Sequence, residues 1–132
     1  MTPDRARRLR DHLMLGAASP FVWGARDCSL WVADWIAIET GRDPVARFRG
    51  TYSCARSCAR ALRREGGLPA LASRIAVEAG LTETTAPSPG DVGVIETEHG
   101  PFMMLRTGHV WAWKTKTGVL FASAPALRAW AV

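Results

Sequence analysis

The chain has 132 residues, 48% of them apolar, which is enough for one domain with a packed core and no covalent staples. Its formal net charge of +5 comes almost wholly from arginine, since lysine occurs only at 114 and 116; such a surface suits an anionic polymer or acidic neighbours in an assembly, without choosing between them. Three cysteines are too few and odd in number for a secreted disulfide framework, no apolar run reaches membrane-spanning length, so a soluble protein is expected, and the arginine-rich start lacks the apolar core of a signal peptide.

In chain order, residues 3–15 (PDRARRLRDHLML) predict an amphipathic helix with Leu9, Leu13 and Met14 inward, arginines outward and His12 at the surface. Residues 16–20 form a loop that leads into FVWGARDCSLWVADW, residues 21–35. There Asp27 is a good N-cap. Leu30, Trp31, Ala33, Asp34, Trp35, Ala37 and Ile38 recur at helical spacing up to Thr40-Gly41. Cys28 therefore falls in a helix's first turn, where the helix dipole favours thiolate. A short helical turn over 45–48 and the lone Tyr52 follow. Next comes a helix from about Ser53, its expected cap, to Glu65, with Cys54 and Cys58 on one face. Residues 68–79 predict a fourth helix with Leu71, Ile75 and Ala79 inward, and 82–89 a loop rich in threonine and proline. Strands are expected at 91–95, 101–107, 109–114 and 119–122, the last two joined by a hairpin at 115–118, with Leu127 and Trp130 sealing an edge of the core. Helices first and sheet afterwards make the fold class α+β, with N-terminal helices on a small C-terminal antiparallel sheet in a single domain spanning 1–132.

Cys28, Cys54 and Cys58 lack the second ligand pair of a structural zinc site, so neither a metal nor a cofactor is expected. A thiol nucleophile at Cys28 needs a histidine base within hydrogen-bonding reach. His109 opens one predicted strand, with Ser123 at the end of the next as a weak orienting group, and His99 lies in the loop before the 101–107 strand as the alternative base.

Phe21-Val22-Trp23-Gly24, Asp27-Cys28-Ser29 and Pro89-Gly90-Asp91-Val92 resemble, in that order, the NlpC-type cell-wall cysteine peptidases, a papain-like family. The whole chain is similar to a short phage and prophage tail-region branch of it, through Trp23-Gly24, Asp27-Cys28, Ala33-Asp34, the Thr40 to Pro44 turn, Arg49-Gly50-x-Tyr52, Gly66-Gly67, Gly90-Asp91, Gly118-Val119 and Ala129-Trp130. The resemblance implies a papain-like fold and a virion protein of the phage tail tip that cleaves peptidoglycan stem peptides during host-envelope penetration. Cys28 would be the nucleophile and His109 the base. The helix-start amides near Cys28 and Ser29 would form an oxyanion site, and Phe21, Trp23, Gly24 and Asp27 would frame the substrate. In the branch's own register the base position falls near Phe102, and the protein is then an inactive structural part packed against tail-hub proteins. A basic nucleic-acid-binding module is the third reading and ranks last, for want of a recognition motif. No membrane partner is expected.

Overall fold

The computed structural model describes all residues, 1–132. Four helices precede the sheet: α1 (Pro3–Ala18), α2 (Cys28–Thr40), α3 (Ala55–Arg64) and α4 (Leu68–Glu78), with one 3-10 turn at Ala46–Phe48. Local chemistry sets their ends. The Thr2 hydroxyl accepts from the Arg5 amide ahead of Pro3 at the start of α1. Asp27 caps α2, which stops at Gly41, a left-handed residue at φ +78° with no Cβ to strain it. The cap of α3 is Cys54, not the expected Ser53: its thiol accepts from the Ser57 amide while the Ser57 hydroxyl accepts from the Cys54 amide.

Six strands follow: β1 (Thr82–Thr84), β2 (Val92–Thr97), β3 (Gly100–Thr107), β4 (Val110–Thr115), β5 (Gly118–Ala122) and β6 (Arg128–Ala131). They form one antiparallel sheet in the order β1-β6-β2-β3-β4-β5. The fold is therefore α+β, with helices and sheet segregated along the chain. The expected four strands become six. Thr82–Thr84 is an edge strand rather than loop, and the C-terminal segment lies inside the sheet between β1 and β2 rather than along its rim.

Side chains alternate across the sheet. Val92, Val94, Leu105, Ala112 and Trp130 share one core with Leu9, Trp31, Val32, Trp35, Ile36, Ala72 and Ala76, so the helices cover that face. Ile95, Met104, Trp111 and Ala129 form a smaller cluster on the other face, covered by Ala124 and Ala126. Within α2, Leu30, Trp31, Val32, Ala33, Trp35 and Ile36 are all buried, a wider band than a single stripe, while Ile38 is exposed. Met14 and Leu127 are also exposed, against expectation. His12, expected at the surface, is buried: its Nε2–H donates to the Trp31 carbonyl at 2.9 Å and its ring stacks on Trp31 with centroids 5.0 Å apart. No helix is long and apolar enough to cross a membrane.

Candidate functional site

The Phe21–Asp27 turn brings Cys28 to the first turn of α2, as its sequence predicts. Gly24 is the hinge of that turn. It sits at φ +79°, and a Cβ there would lie 2.1 Å from the Tyr52 carbonyl oxygen, so only glycine fits. The Gly50 amide donates to the Gly24 carbonyl at 2.9 Å. Asp27 is buried, and its carboxylate accepts from the Gly24 amide (3.0 Å), the Leu30 amide (3.0 Å) and the Tyr52 hydroxyl (2.5 Å). The Trp23-Gly24, Asp27-Cys28 and Arg49-Gly50-x-Tyr52 segments are thus one hydrogen-bonded unit. Arg49 ties it to the following turn by donating to Asp34 (2.7 Å) and Asp43 (2.6 Å). Phe21 packs edge-on against Trp23 with centroids 4.9 Å apart.

The position of Cys28 is that of a nucleophile, but its surroundings oppose thiolate. Burial, and then the adjacent Asp27 carboxylate, push the thiol up to about 12, outweighing hydrogen bonds from Ser29. A helix terminus contributes about 0.3–1 kcal/mol in favour of an anion, too little to offset that. Cys58 stands close by on α3 and is itself pushed up to about 11 by burial and by Asp27. Ser29 lines an apolar cavity of about 80 Å³ together with Tyr52, Cys58, Met103 and Trp130.

None of the three histidines pairs with Cys28. His12 is committed to the Trp31 carbonyl. His99 lies in the β2–β3 turn, exposed, with Nε2 3.4 Å from Glu98. His109 lies in the β3–β4 turn, beyond the end of β3, where the Gly90 amide meets the Arg106 carbonyl. The Trp35 indole also donates to Gly90, at 2.8 Å. Cys28 lies seven residues before Trp35, about 10 Å back along the helix axis. His109 and Ser123 share a groove with Trp111 and Arg106 on the face of the sheet away from α2. The Cys28–His109–Ser123 arrangement is therefore corrected: the sheet separates the thiol from the other two. Phe102, the branch's base position, also points away from the helices, pairing with Ile95 and packing against Trp113 at 4.8 Å. The β3 residues on the α2 side are Met103 and Leu105.

Two residues carry roles that the sequence reading does not assign. Tyr52 is the Asp27 partner, a link whose one sequence signal is the lone tyrosine two residues after Arg49-Gly50. Cys54 is the exposed cysteine, and its thiol is held below the ordinary thiol range by hydrogen bonds from Ser57.

No curated protein and no solved structure matches the chain. The profile of a family described as a domain of unknown function, DUF6950, covers residues 1–132. The chain therefore belongs to the DUF6950 family.

Proposed function

We propose that this protein is a non-catalytic relative of the NlpC-type, papain-like peptidases that serves as a structural part of a phage tail tip. The observation that carries the reading is the state of Cys28. Burial and the adjacent Asp27 carboxylate raise the pKa of that thiol, which favours the protonated form at neutral pH. No imidazole stands by to take the proton on demand. The motif residues that give the resemblance hold the fold: Gly24, Asp27, Gly50 and Tyr52 bind one another, and Asp91 accepts from the amides of Ser88 (2.8 Å) and Val132 (3.4 Å). An assembly role is further supported by Met14 and Leu15 on α1 and Phe121 on the outermost strand β5. All three are more than 60% exposed, and α1 packs against β5. Exposed apolar side chains beside a free sheet edge are features of docking surfaces, here for tail-hub proteins.

The peptidase reading retains one supporting observation, the place of Cys28 at the first position of a capped helix. Iodoacetamide labelling across pH, read at each cysteine by mass spectrometry, separates the two. The expected order at neutral pH is Cys54 first and Cys28 slowest, with Cys28 accelerating only in strong alkali. A Cys28 that labels fastest, or wild-type hydrolysis of a peptidoglycan stem peptide that Cys28→Ser abolishes, would establish a working peptidase instead.

A further inference from the structure

On the face of the sheet away from the helices, Ala124 and Ala126 of the Ser123–Leu127 segment pack over the small cluster, beside Phe102, Trp113 and Ala122 of the sheet itself. Between that segment, the Thr84–Pro87 turn and the far end of β3, a groove of about 560 Å³ stays open. That is a volume suited to a small ligand or a few residues of peptide. Arg106 and Trp111 lie directly opposite one another in the β3–β4 register and both line this groove. The Arg106 guanidinium carbon stands 5.1 Å from the Trp111 ring centroid. The ring has its seat because residue 93 is glycine: a Cβ there would lie 2.8 Å from Trp111 Cη2.

Two hydrogen-bond donors in this arrangement have no acceptor. Arg106 Nε and Trp111 Nε1 are both buried and unpartnered, and Trp111 is fully enclosed. Buried N–H groups of native proteins normally find a partner, and a charged one left unmet is costly. The nearby acids are already engaged. Both oxygens of Glu83 are held by Arg128, at 2.8 and 2.6 Å, and Asp91 accepts from the amides of Ser88 and Val132. Arg106 therefore stands as an unpaired cation over an indole ring, in a groove that His109 and Ser123 also line. A planar guanidinium fork matches the two oxygens of a carboxylate. With one free cation, charge balance favours a monoanion over a phosphate dianion.

We propose that this groove is a binding site for a carboxylate-bearing ligand, with Arg106 as the recognising cation and the enclosed Trp111 indole as the platform beneath it. The site is separate from Cys28 and independent of whether that thiol is active. Its probes are N-acetyl-dialanine with a free carboxylate, the same peptide as its amide, sodium acetate and inorganic phosphate. The readout is the Trp111 indole N–H resonance in ¹⁵N–¹H spectra, assigned by its disappearance in Trp111→Phe. The acid is expected to shift that resonance saturably and to bind at least about tenfold more tightly than the amide, the scale of one charge-assisted contact. Arg106→Gln should abolish the preference while its melting temperature reports that the fold is kept. Acetate matching the peptide would identify a small acid as the ligand class, and a much tighter peptide would identify a chain end. Equal binding of acid and amide, preference for phosphate, persistence of the preference in Arg106→Gln, or no shift at Trp111 with any probe would overturn the proposal. Should Arg106→Gln fail to fold, the acid–amide comparison on the wild-type protein decides alone.

Discussion

Burial of the His12 ring couples folding to pH in a definite direction. Desolvation between α1 and the Trp31 and Trp35 rings lowers its pKa from the ordinary 6.5, a loss that the hydrogen bond to the Trp31 carbonyl only partly offsets. The folded protein thus binds this proton less readily than the unfolded chain. Its contribution to stability is complete above the ordinary histidine range and is lost as pH falls through 6.5 towards the lower folded value. One such group gives a slope of at most ~1.4 kcal/mol per pH unit. Urea unfolding at closely spaced pH values between neutrality and about 5, above the usual carboxylate range, should show wild type losing stability faster than His12→Gln. Parallel pH profiles for the two proteins would mean that the ring is protonated in place without cost.

Among the secondary-structure elements, α1 is the one finished by a distant residue. It has no basic side chain in its last turn, where exposed carbonyls carry the negative end of the helix dipole. Lys114 supplies the cation from β4. Its buried Nζ donates to the carbonyls of Gly16 (2.7 Å) and Ser19 (2.9 Å), ninety-eight and ninety-five positions away in sequence. Burial and then repulsion from Arg26 lower its pKa, so the ammonium is held by those carbonyls rather than by a carboxylate. Lys114→Met keeps the apolar stem and removes the donors, leaving two carbonyls unmet at a cost of about 1–3 kcal/mol. The expected result is a lower urea midpoint at unchanged slope. An unchanged midpoint would show that water replaces the ammonium at no cost. The same junction explains Gly16, where a Cβ would come 2.4 Å from Trp31 Nε1: α1 and α2 cross too closely there for any side chain.

At the scale of the molecule, the readable parts of the sequence are those decided locally. Asp27 announces the start of α2 because capping is a contact three residues long, and the change from helical to alternating pattern at Gly90 marks the passage to sheet. Thr82–Thr84 and Arg128–Ala131 are three and four residues long, too short to show alternation, and are strands because they pair with each other and with β2. The thiol's partner is hidden for a related reason. Neighbouring strand residues face opposite sides, so one position decides whether Phe102 or Met103 looks at α2, and only the sheet register fixes that. His12 is missed because an arginine-rich helix gives no sign that one polar position lies beneath a tryptophan. The same unevenness governs dynamics. Whereas α2 buries six residues and lies across β3 and β4, α3 buries none and packs mainly on α4. Elements with few buried contacts open at free energies well below global unfolding. Native-state hydrogen exchange should therefore find the α3 amides exchanging through a low-energy local opening, with α2 and β2–β4 exchanging only near the global limit. Cys58, carried on α3, should then label through that opening. Equal protection of α3 and α2 would instead mean that the apolar cavity beneath α3 holds it as firmly as the core holds α2.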